Sequence, residues 1–193
     1  MAVDTHGRWP WVAAASLPPA WGLVAARRAD LARDGAWVAA LAFPLLASHQ
    51  TEEWVRPGGF LEFCNQELLG SDRPTWPLTE RVGFHVNVTL GWGTALAAAL
   101  LWRRTAAPAA LVLGIEAGNV AMHVGMAVRE RRYNPGVATA ALLFAPHVAL
   151  GARHLARSGR MSRRSTTLAA AGALVLSAGL PAAMKARMRR ASR

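Results

Sequence analysis

Cysteine is nearly absent from this 193-residue chain, where Cys64 stands alone. A lone cysteine excludes an internal disulfide framework and any all-cysteine metal site. Lysine is as scarce, Lys185 being the single one, so the positive charge is almost entirely arginine. Acidic residues number 11 against 22 basic ones, and charged residues make up 17% of the chain against 53% hydrophobic. That balance excludes a disordered chain and does not suit an ordinary cytosolic globule. Strand signals are also missing, because apolar residues do not alternate with period two and alanine and leucine dominate over β-branched residues. No phosphate-cradling glycine loop, nucleophile elbow or His-Glu-x-x-His sequence occurs. Cys64 is expected in a surface loop beside Phe63 with no basic neighbour to activate it, so it is not a nucleophile candidate.

What the chain does contain is long uncharged windows separated by arginines. A bilayer core needs roughly 20 mostly apolar residues per helix. Residues 83–102 hold no acidic or basic side chain and stop at Arg103-Arg104. Residues 105–128 hold one acid, Glu116, and residues 134–152 and 166–184 hold none. An earlier window runs from residue 35 through Glu52-Glu53 to Arg56. The expected architecture is therefore an all-α polytopic transmembrane helical bundle of five spans. Residues 1–34 form an N-terminal arm, 35–184 the bundle and 185–193 a basic tail. Residues 9–26 are uncharged but carry Pro18-Pro19 at their centre, which would break a helix. They read as an interfacial segment with Trp9, Trp11 and Trp21 at headgroup level and a short helix starting near Pro19. A sixth, broken span is the alternative. The basic residues divide evenly between the two sides of a five-span bundle, so no orientation follows. They punctuate apolar runs instead of forming a basic face interleaved with aromatics, which argues for a lipid bilayer as partner and against nucleic acid. The connection 57–81 reads as a short amphipathic helix on the membrane, followed by turns at Pro74 and Pro77.

Polar residues within the apolar windows are where function is sought, since an ionisable group in mid-membrane costs at least ~2.5 kcal/mol. His49, Glu52 and Glu53 share one helix face, and Glu116, Asn119 and His123 fall on one stripe of another. Together they make a candidate composite site, which His85 and His147 would extend towards a bound substrate. Gly114 and Gly118 form a small-xxx-small pattern that predicts close packing on a neighbouring helix.

His49-Gln50-Thr51-Glu52-Glu53 resembles the signature of the HXXEE family of small bacterial membrane proteins. Asn119-Val120-Ala121-Met122-His123 is similar to that family's N-x-x-x-H element, and Tyr133-Asn134-Pro135-Gly136 to its Y-x-P-G element. The resemblance covers roughly residues 36–153. It implies a bacterial cytoplasmic membrane protein and singles out His49, Glu52, Glu53, Asn119 and His123, but carries no activity with it.

Three functions are open to such residues. The first is an intramembrane enzyme in which His49, Glu52, Glu53, Glu116, Asn119 and His123 perform acid–base chemistry on a lipid or isoprenoid-like substrate, by isomerisation, cyclisation or hydrolysis. The second is a metal-dependent enzyme, its divalent ion held by His49, Glu52, Glu53, Glu116 and His123. It ranks lower because the di-iron Glu-x-x-His spacing is missing. The third is a non-catalytic cation-binding or transport module. Tyr133 to Gly136 most simply turns the chain between two spans.

Overall fold

The computed structural model describes residues 6–191, so the first five residues of the N-terminal arm and the last two of the basic tail lie outside it. Among the described residues there is no strand. Six long helical stretches run alternately up and down. We number them α1 (Trp9–Ala26), α2 (Ala42–Trp54, led in by the turn Trp37–Ala40), α3 (Glu80–Leu101), α4 (Ala107–Glu130), α5 (137–158) and α6 (Arg163–Ala191). Three of them, α3, α4 and α6, are long and apolar enough to cross a membrane.

Local chemistry sets the ends of these helices. The Thr79 hydroxyl accepts from the Val82 amide to cap α3, and Ser162 caps α6 by accepting from Ser165. Pro108 opens α4, where a missing amide proton costs nothing. Arg131, in the left-handed region at φ 50°, ends α4, and Gly159 at φ 66° ends α5.

The N-terminal segment departs from expectation. Instead of a helix beginning near Pro19, α1 is one continuous helix through Pro18 and Pro19. It lies antiparallel along α2, with the Trp9 ring edge-on to Trp54 at 5.2 Å and Trp21 Nε1 donating to Ser48 Oγ at 3.3 Å. Packing along its length holds the helix together although two backbone donors are missing, as neighbouring helices do for proline inside membranes. The connection 57–79 is helical from Phe60 to Leu68, as expected, but Cys64 is not on the surface. It packs with Leu69, Leu78 and Met184 beneath the end of α6. Asn65 beside it is fully buried, donating to the Pro74 and Leu78 carbonyls and accepting from the Leu78 amide, all at 2.8 Å.

The bundle is packed with small residues inside and large ones outside. Ala39, Ala42, Ala95, Ala98 and Ala109 are buried in its core, while Leu100, Leu142 and Leu174 are 71%, 73% and 67% exposed. In water that distribution would leave a large apolar surface bare. In lipid it is the favourable one, because close backbone approach, and not burial of leucine, holds helices together. The seam between α4 and α6 shows this. A Cβ at Gly114 would sit 2.5 Å from Ala173 Cβ, and one at Gly118 would overlap the Ser177 side chain.

Two measurements follow. Gly114→Ala should cost about 1–3 kcal/mol by overpacking and lower the thermal midpoint in detergent, whereas Gly125→Ala, with open space around it, should not. Burial, aided by the charge of Glu53, pushes the Cys64 thiol up to about 12. The unfolded thiol ionises near ~8.5, so the folded state binds more protons between those values. Stability should therefore fall as pH rises through that window. At pH 8 iodoacetamide should leave the folded protein unmodified and label it once unfolded.

Candidate metal centre

Glu53 lies one turn after His49 on α2, which puts both side chains on the same side of the helix. His123 reaches them from α4. Glu53 Oε1 stands 3.4 Å from His49 Nε2 and 3.2 Å from His123 Nε2. His49, Glu53 and His123 are 2%, 4% and 0% exposed. The two imidazoles meet edge to face at 4.9 Å, with Phe144 against His49 and Phe60 against His123 closing the sides.

The remaining ring nitrogens decide what this trio offers. Asn134 donates its amide Nδ2 to the His123 carbonyl, which leaves its Oδ1 to accept from His123 Nδ1 at 2.8 Å. His49 Nδ1 lies 2.8 Å from Thr139 Oγ1, whose hydroxyl donates to Glu52 Oε2 at 2.5 Å. The hydroxyl has one proton, so its oxygen accepts from His49 Nδ1. Both imidazoles thus carry a proton on Nδ1, and in the neutral ring the Nε2 facing the carboxylate oxygen is then a bare lone pair. Neither Nε2 makes a hydrogen bond. Three Lewis bases in a dry pocket with nothing between them repel each other. A cation or a captured proton relieves the repulsion.

Two of the three spacings suit a metal. Ligand atoms about 2.0–2.1 Å from a tetrahedral zinc lie roughly 3.3 Å from one another, and two of the contacts here are 3.2 and 3.4 Å. All three ligand atoms lie within 4.8 Å of one another.

Glu52 does different work. It accepts from Tyr133 Oη at 2.7 Å, from the Ala138 and Thr139 amides at 3.0 and 2.7 Å, and from the Thr139 hydroxyl. A carboxylate at the start of α5 meets exposed amide donors there, so Glu52 anchors α5 and, through Thr139, orients His49. Burial and the bond to Glu52 push the Tyr133 phenol above its ordinary range, so it stays a donor.

The other sequence candidates do not join this centre. Glu116 and His123 share a stripe of α4, but seven residues separate them by about 10.5 Å along the axis, and each takes the partner at its own depth. Glu116 Oε2 meets His147 Nδ1 at 2.6 Å, while His147 Nε2 donates to the Val38 carbonyl at 3.1 Å. Both side chains are buried. Asn119 donates to the Ile115 carbonyl of its own helix. His85 is exposed, beside Thr89 and Phe84.

Sequence reasoning missed Thr139, Asn134, Phe60 and Phe144, and gave Tyr133 to Gly136 a turning role only. Gly136 does turn the chain, at φ 104°, but a Cβ there would also lie 2.5 Å from the His123 ring. The Tyr-Asn-Pro-Gly element was the one signal that could have located this support. Gln50, also missed, is fully buried, bonding Asn87 Oδ1 at 3.1 Å and accepting from Trp92 Nε1 at 2.8 Å.

A buried His/Glu centre carried by an all-helical bundle defines the class of protein. The particular family is shown by its family model: residues 40–150 match the description "Protein of unknown function with HXXEE motif", more than half of the chain, so the chain belongs to that family. No curated protein and no solved structure matches it.

Glu116 has its own test. With His147 Nε2–H committed to Val38, a neutral His147 needs a donor at Nδ1, which the amide of Glu116→Gln supplies. Glu116→Leu leaves a buried acceptor unpaired, at about 1–3 kcal/mol. Thermal unfolding should place Glu116→Gln near wild type and Glu116→Leu well below. Equal midpoints would mean that the pair contributes nothing to the fold.

Proposed function

We propose that this chain is a metal-dependent enzyme of the membrane, with a divalent transition metal held by His49 Nε2, His123 Nε2 and Glu53 Oε1. The observation that carries the proposal is the convergence of two imidazole Nε2 atoms, neither of them hydrogen-bonded, and a carboxylate oxygen at 3.2–3.4 Å. Hydrogen bonds from Nδ1 to Asn134 and Thr139 supply the outer support that fixes ligating histidines elsewhere. Three protein ligands leave further positions for water or substrate, which is the pattern of catalytic and not structural zinc. An ion held there would act as a Lewis acid and would lower the pKa of water to about 7, so hydrolysis of a lipid-like substrate dissolved in the bilayer is the reaction this centre would suit. The surrounding chain covers the centre with Phe60 and Phe144 and fixes both imidazoles through their Nδ1 atoms, which leaves Nε2 turned towards Glu53.

This reading reverses the order suggested by sequence, in which acid–base chemistry without metal ranked first. A proton shared among the three groups is the competing account. The apolar exterior supports α2 and α5 crossing with α3, α4 and α6, which makes five spans, and α1 antiparallel to α2 makes a sixth. The setting we assign is a bacterial cytoplasmic membrane, supported by three helices long and apolar enough to cross a bilayer.

Elemental analysis of the full chain, purified without a polyhistidine tag and treated with chelator, tests the proposal. We expect about one zinc, iron or manganese per chain. His49→Ala and His123→Ala should lose it, His85→Ala should keep it, and Thr139→Val should weaken affinity about 10–100-fold. Metal below about 0.3 per chain, unchanged in His49→Ala, would leave the proton-sharing account standing.

A further inference from the structure

The opposite end of the bundle holds a second feature that does not depend on the metal centre. There the Trp102 indole Nε1 is 3.4 Å from the Asp34 carbonyl, and the Arg160 guanidinium lies 4.5 Å over the Trp102 ring and bonds the Trp102 carbonyl. Between α1, the start of α2 and the end of α3 opens a cleft of about 1310 Å³. Ligand pockets for drug-sized molecules reach about 1,000 Å³, so this one is large.

Its lining is divided by chemistry. Leu23, Leu31, Phe43 and Leu100 supply apolar walls, and Leu23 and Leu100 are 61% and 71% exposed with nothing of this chain covering them. The rim carries Arg27, Arg33, Arg103 and Arg160 against Asp30 and Asp34. Arg33 is paired with Asp30, and Arg160 is committed to Trp102. The side chains of Arg27 and Arg103 make no hydrogen bond or ion pair among the described residues. Two free guanidiniums therefore stand over an apolar trough, with two more positive than negative groups on the rim.

We propose that this cleft binds an anionic glycerophospholipid, its phosphate between Arg27 and Arg103 and an acyl chain along Leu23 and Leu100. Guanidinium forks match phosphate oxygens in pairs. Basic pockets between transmembrane helices take anionic lipid head groups for that reason. The charge excess on the rim selects an anionic over a zwitterionic lipid. The apolar walls distinguish a lipid from free phosphate, since a small ion would leave them bare.

The test uses the full chain in detergent, titrated with phosphatidylglycerol, phosphatidylcholine or inorganic phosphate and read by thermal shift and native mass spectrometry. We expect wild type to retain about one phosphatidylglycerol and to bind it at least about tenfold more tightly than phosphatidylcholine. The exposed double variant Arg27→Gln/Arg103→Gln should lose about tenfold or more in affinity for phosphatidylglycerol. The charge-matched control Arg104→Gln/Arg157→Gln lies outside the cleft and should stay within about twofold of wild type. Circular dichroism reports whether each variant is folded. Equal binding of the two lipids by wild type would overturn the proposal, and does so without any variant. Equal losses in both double variants would assign the effect to general surface charge. Stabilisation by inorganic phosphate as strong as that by the lipid would assign the site to a free anion instead.

Discussion

A buried carboxylate facing two imidazoles organises one half of this bundle. Glu53 sits between two imidazole nitrogens, and each imidazole is fixed from behind by a residue on the far side of a turn. In an apolar medium an unpaired charge or acceptor costs several kcal/mol. The chain brings α2, α4 and the start of α5 together at one level, where a proton or cation shared by the three groups offsets that cost. Glu52 points the other way and holds the start of α5 through backbone amides. Two adjacent acids thus divide the work, one facing the centre and one building its wall.

That convergence needs backbones to approach closely. Gly136 lets the turn lie directly on the His123 ring, and Gly114 and Gly118 let α6 lie against α4. Alanine fills the interior for the same reason. Leucine is left outside, where lipid solvates it as well as a core would. The polar residues along α4 are consequently stacked at separate depths, Glu116 with His147 and His123 with Glu53. A single stripe on one helix serves two different neighbours.

Sequence patterning is sound about one helix and silent about which helices meet. The five windows expected from charge and hydropathy all fold as helices, because every backbone amide in an apolar run must be bonded within its own segment. The i,i+4 relation of His49 and Glu53 is a property of one helix and was legible. The pairing of His123 with Glu53, and of Glu116 with His147, was not, since stripes report direction around an axis but not the register of a neighbour. Pro18-Pro19 misled for a related reason. Propensity predicts a break in an isolated segment, whereas α1 is held along its length by α2.

The amino-acid sequence by itself determined that the chain is helical and apolar, that it belongs with proteins bearing the HXXEE motif, and that His49, Glu53, Glu116 and His123 are polar groups placed where polarity is costly. Those are consequences of local period and of transfer free energy, which depend on a residue and its near neighbours in the chain. Tertiary structure alone decided which histidine faces which carboxylate, and that Tyr133 to Thr139 builds the wall of the centre. It alone folded Cys64 inwards and gathered Arg27, Arg103 and Arg160 around one cleft. Those outcomes depend on the axial register between helices far apart in sequence, which side-chain packing sets once the bundle has formed.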